Sequence, residues 1–181
     1  MFAMSSRALI INAVAFQSAW FAALYGGKYD WLTLALLPAL LAAIWHLFQT
    51  RRDRATEIRL FVGVIILGFG VESLFIALGG ITYIGAPLFG FGPPLWIMAM
   101  WLAFATLPHG CLIWLKSRSI LQFILGGLSG PLSYLAGAKL GAATLGEPIF
   151  QSLAIIGIGW AVALPIIFWL ADRLRARQNG T

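Results

Sequence analysis

LFVGVIILGFGVESLFIALG, residues 60–79, runs for twenty positions with a single ionisable side chain, Glu72. A helix of that length rises about 30 Å, the thickness of a bilayer's hydrocarbon core. Working outward, five more stretches meet the same test: 8–25, 31–49, 94–115, 119–138 and 149–171. Of these, 119–138 is the least apolar, because Gly126, Gly127, Ser129, Gly130 and Pro131 dilute it. The expected fold is therefore all-α and integral to the membrane: one domain over residues 1–181, built as a bundle of about six transmembrane helices. No hydrophilic stretch is long enough for a separate soluble domain, and no internal repeat stands out.

Composition agrees. The chain is 61% hydrophobic and 10% charged, whereas a soluble domain carries roughly 25% charged residues. A net charge of +6 would suit nucleic acid, but the basic residues lie between apolar runs, so a nucleic-acid partner is not expected. With six spans, one side receives Arg7, Arg51, Arg52, Arg54, Arg59, Lys116, Arg118, Arg173, Arg175 and Arg177, and the other only Lys28 and Lys139. Basic residues collect on the cytoplasmic side, which predicts that both termini face the cytoplasm. Arg7 ahead of 8–25 has the look of a signal peptide, but Gln17 and Trp20 within that run, and five spans after it, favour a retained helix. Trp31, Trp45, Trp96, Trp114 and Trp169 fall near predicted helix ends, as an interfacial aromatic belt requires.

Small residues mark close helix contacts. Gly126, Gly130, Ser133, Gly137 and Gly141 make a smooth stripe on the fifth helix, and Ala15, Ala19 and Ala23 a ladder on the first. Packing within the bundle is the first expectation for both, and a membrane-protein partner the second. The connection 80–93, GITYIGAPLFGFGP, is uncharged and aromatic, which suits either an interfacial anchor or a lid.

Ionisable residues within the hydrocarbon cost several kcal/mol and call for a reason. From the cytoplasmic edge Glu72 lies at about 18 Å, Gln17 at about 14 Å, Trp20 at about 18 Å and Trp101 at about 20 Å. Gln17, Trp20, Glu72 and Trp101 are thus expected to share a layer and line one pocket opening to the external side. A carboxylate near tryptophan faces suits a cationic or hydrogen-bonding ligand. The bland alternative is Glu72 hydrogen-bonded to Gln17 as helix glue. His46 and His109, at depths of about 6 and 9 Å, form a second candidate polar site. No third ligand completes a metal centre, so none is expected, and the lone Cys111 excludes an intrachain disulfide. No cofactor is indicated. The segment Gly127-Leu128-Ser129-Gly130 looks like the nucleophile region of rhomboid proteases, but the last predicted helix lacks the histidine base that such a serine needs.

A broader likeness runs from the first helix to the last. Phe16-Gln17 with Trp20-Phe21, Glu72-Ser73, Pro94-Leu95-Trp96, Trp101 with Phe104-Ala105-Thr106, His109, Gly130-Pro131 with Tyr134, and 137–141 together resemble an uncharacterised bacterial inner-membrane family, domain of unknown function 2878. That family usually carries Asn before the histidine, where Pro108 stands here. The resemblance implies a small multi-pass protein of the bacterial inner membrane, in a family sometimes encoded near enzymes that modify unsaturated membrane fatty acids. It implies no activity.

Three functions follow as expectations. The first is an intramembrane protein or accessory subunit that binds a lipid or hydrophobic small molecule around Glu72. The second is a lipid-modifying enzyme using Glu72 or His109 as acid or base. The third is a substrate-binding transporter subunit of the energy-coupling factor type, which Ala15, Ala19 and Ala23 resemble through that type's alanine ladder.

Overall fold

The computed structural model describes residues 4–179. Its long helices are α1 (Ser6–Lys28), α2 (Leu32–Gln49), α3 (Arg54–Ala77), α5 (Ser119–Lys139) and α6 (Ile149–Asn179), with a short α4 (Leu95–Phe104) between α3 and α5. The five long helices are each long and apolar enough to cross a membrane. Their outer faces remain apolar, with Ile10, Val14, Ile66, Leu128 and Ile158 all exposed. A bundle in lipid has no reason to hide such side chains, because hydrocarbon tails solvate them as well as a core does.

The helices associate as α1 with α2 and α5 with α6, while α4 lies against α1, α2 and α3, and α3 against α6. Both small-residue ladders are used inside the chain. Ala19 and Ala23 are fully buried, Ala19 in a cluster with Ala39, Ala99 and Ala103 that joins α1, α2 and α4. Gly126 and Gly130 let α5 approach α6 closely: a Cβ on Gly126 would lie 2.3 Å from the Trp160 carbonyl oxygen, and one on Gly130 2.6 Å from its ring. The buried members of both stripes thus serve packing within this chain, while Ala15 and Ser133 stay half-buried.

The fourth crossing differs from the expected continuous helix over 94–115. Its ten helical residues rise about 15 Å, half the hydrocarbon core. Beyond Phe104 the chain continues in tight turns, with Leu107 N–H donating to the Phe104 carbonyl at 2.9 Å and Gly110 N–H to that of Leu107 at 3.0 Å. Pro108 explains the break, since it lacks an N–H and disfavours the helical conformation at the residue before it. Irregular backbone at membrane depth is tolerated only when shielded by protein, and Ala105, Thr106, Leu107 and His109 are buried. Asn12 on α1 supplies the missing partners. Its amide nitrogen donates to Thr106 Oγ1 at 2.9 Å and its oxygen accepts from the Cys111 N–H at 2.8 Å.

At the end opposite the arginines, two connections pair. Strand β1 (Ile81–Tyr83) runs antiparallel to β2 (Ala143–Leu145), with Thr82 opposite Thr144. Alternation along β1 sends Ile81 and Tyr83 inward and leaves Thr82 exposed. The connection 80–93 thus begins as a cap on the bundle and ends in an exposed tip, where Phe89 and Phe91 meet Phe69 edge-on.

Candidate functional site

Helices α1 and α5 touch at their capped ends and part towards the middle. A Cβ on Gly137 would lie 3.2 Å from Leu24 Cδ2, and one on Gly141 3.3 Å from Lys28 Cε. Below that contact lies a cavity of about 420 Å³ whose wall includes Gln17, Trp20, Glu72 and Trp101. The structure therefore brings together the four residues that depth placed in one layer. Their access differs from expectation. Ile81, Tyr83 and Ala143 close the end opposite the arginines, whereas the wall residues Gln17, Ser129 and Leu132 are exposed on the flank of the bundle. Gln17 and Ser129 stand about 17 Å and 15 Å from the starts of their helices, which puts the mouth near mid-membrane, facing lipid.

Glu72 sits at the head of the cavity and is almost wholly buried. Three donors converge on its carboxylate. The Trp101 Nε1–H reaches Oε1 at 2.8 Å, the Tyr134 hydroxyl reaches the same oxygen at 2.5 Å, and the Tyr83 hydroxyl donates to Oε2. Gln17 is not among these partners, so the Glu72–Gln17 glue is replaced by an aromatic clamp. Each hydrogen bond to a charged group contributes about 1.5–3 kcal/mol, which together offset the several kcal/mol that burying a carboxylate costs. Burial, then the adjoining carboxylate, holds the Tyr83 hydroxyl well above its ordinary value, so it keeps its proton and donates.

Sequence reasoning missed Tyr83 and Trp160 as wall residues. Trp160 stacks on Trp101 at 4.9 Å with an interplanar angle of 13°, forming a two-ring wall beside the carboxylate. Tyr134 entered only through the family likeness. Trp96 was assigned to the interfacial belt, but it is buried, donates to the Ile84 carbonyl at 2.8 Å and lines the cavity. Trp31, Trp114 and Trp169 are exposed, as belt residues should be.

His46 and His109 do meet, through a residue the sequence did not single out. Glu57 is fully buried at the start of α3; its Oε2 faces His46 Nε2 at 3.1 Å and its Oε1 faces His109 Nδ1 at 2.9 Å. The Arg175 guanidinium stands 3.6 Å from Oε1. This cluster ties α2, α3, the broken fourth crossing and α6 together at the arginine-rich end. None of its members lines the cavity, so His109 is not placed to act with Glu72. Ser129 donates to the Leu125 carbonyl of its own helix at 2.6 Å.

Comparison with known proteins now adds a name for the group. A family model described as "Protein of unknown function (DUF2878)" matches residues 9–166. The chain belongs to the DUF2878 family. The matched region contains every wall residue of the cavity together with Glu57, His46 and His109, and stops short of Arg175. No curated protein and no solved structure matches the chain. Membership in DUF2878 carries no assigned activity, so the function has to be argued from the cavity itself.

Proposed function

We propose that this DUF2878 protein is an intramembrane binding protein for a lipid or other hydrophobic small molecule that enters sideways from the bilayer. One observation carries the reading: a cavity of about 420 Å³ with a buried, three-fold clamped carboxylate at its head and a lipid-facing mouth. Its volume lies within the roughly 300–1,000 Å³ of small-molecule sites, which combine apolar walls with a few placed polar groups. A structural carboxylate needs partners but no space beside it, and Glu72 has both.

The test is direct. Protein purified in mild detergent should carry an apolar molecule in near-stoichiometric amount, seen by native mass spectrometry and solvent extraction. Ser133 lines the cavity, and Ser133→Phe should reduce the bound species about tenfold by occupying its space. Retention of the same amount by a folded variant, or an empty wild-type protein, would remove the binding reading.

The cytoplasmic placement of both ends, in a bacterial inner membrane, belongs to this proposal and rests on the asymmetry of basic residues. A reporter active only in the cytoplasm should work when fused at Thr181 and fail when inserted after Gly85. The reverse pattern would invert the topology.

A further inference from the structure

The walls of the cavity restrict the chemistry of its occupant. A carboxylate offers about four acceptor positions. Oε1 of Glu72 takes two donors, Trp101 and Tyr134, and Oε2 takes one, Tyr83. One position therefore remains on Oε2, and it asks for a donor. Among the described residues Glu72 also carries the one carboxyl group on the wall. No lysine, arginine or histidine there balances it. The rest of the surface is dominated by rings, with the stacked Trp101–Trp160 pair beside the carboxylate and Trp20 and Trp96 also on the wall.

We propose that the cavity selects a lipophilic amine, its ammonium set against Glu72 and its apolar body directed to the mouth between α1 and α5. The proposal rests on the binding reading above and narrows it to one class of ligand. An ammonium fills the open acceptor position and pairs its charge with the one carboxylate on the wall. A neutral alcohol meets only the first of these needs. An ionised fatty acid meets neither, because a second carboxylate beside Glu72 finds no cation and is repelled. A phospholipid phosphate has no basic partner on this wall either.

A matched series separates these cases. The full chain, in nanodiscs of zwitterionic lipid at neutral pH, is titrated with decylamine, decanol and decanoic acid, following tryptophan fluorescence and subtracting partition into empty nanodiscs. Decylamine should saturate and bind at least about tenfold tighter than decanol, with no saturable signal from decanoic acid. Glu72→Gln should lower decylamine affinity to about that of decanol. Decanol binding as well as the amine, saturable binding of the acid, or an amine affinity unchanged in Glu72→Gln would each overturn the amine assignment while leaving a binding cavity. Failure of all three ligands to saturate would overturn both. If Glu72→Gln does not fold, the ranking on the wild-type protein still decides.

Discussion

Glu57→Ala should destabilise the protein by about 3–5 kcal/mol, the range for removing one partner of a buried charge cluster. Its carboxylate joins groups from distant parts of the chain: His46 on α2, His109 in the broken fourth crossing and Arg175 on α6. Truncation would leave two imidazoles and a guanidinium facing one another without the carboxylate that joins them. His46 Nδ1, His109 Nε2 and Arg175 Nε are already buried without a partner among the described residues, so removing the carboxylate adds to polar atoms that are already unmet. A surface pair at the same end gives the contrast. Lys116 and Asp172 meet at 2.8 Å, but each side chain is about a third or more exposed, and such pairs contribute about 0–1 kcal/mol. Unfolding in mixed micelles with increasing denaturant should place Lys116→Ala near wild type and Glu57→Ala far below it. Equal midpoints for the two variants would mean that Glu57 does not clamp the bundle.

The number of helices, their order and the charged end were legible because hydropathy averages over some twenty residues and each span repeats the signal. The layer containing Gln17, Trp20, Glu72 and Trp101 was legible for a related reason: helical rise is constant, so position along the sequence converts to depth. What depth does not contain is azimuth. Tyr83 reaches Glu72 only because β1 pairs with β2, a contact between connections sixty residues apart that no local pattern announces. The alternation in Ile81-Thr82-Tyr83, opposite the same alternation in Ala143-Thr144-Leu145, is the trace it leaves in the sequence. Trp160 is likewise brought in by packing, where Gly126 and Gly130 admit it against α5.

Two further differences share a cause. Transfer energies describe side chains and are silent about backbone hydrogen bonds, so 94–115 scored as one span although Pro108 breaks it. Asn12, which lies in another helix, accepts from a backbone N–H that the break sets free. Glu57 was hidden because an apolar window begins at Leu60 and discards the polar turn before it. Helix α3 begins at Arg54, and that turn faces inward: Thr56 and Glu57 are buried while Arg54 and Arg59 are exposed. A helical wheel drawn past the end of the apolar window would have placed Glu57 on the same face as Leu60, Phe61 and Val64.

The cavity's dependence on one missing methyl group gives a second large effect. Gly68 on α3 lies against Trp101, and a Cβ there would fall 2.2 Å from ring atom Cδ2. The indole cannot swing aside freely, because its N–H is held by Glu72 and its face by Trp160. Gly68→Ala should therefore cost about 3 kcal/mol, at the upper end of ordinary overpacking. It should also abolish retention of any bound molecule by breaking the Trp101–Glu72 contact. Gly70, two residues on, is the internal control. Nothing lies within 4 Å of a Cβ at that position, and exchanging a helical glycine for alanine gains about 0.5–1 kcal/mol in backbone entropy. Gly70→Ala should accordingly match or exceed wild type in thermal stability and leave ligand retention unchanged. The two substitutions add the same atom to the same helix and differ only in what it meets. If Gly68→Ala melts with Gly70→Ala and keeps its ligand, Trp101 is not the fixed wall on which the amine site depends.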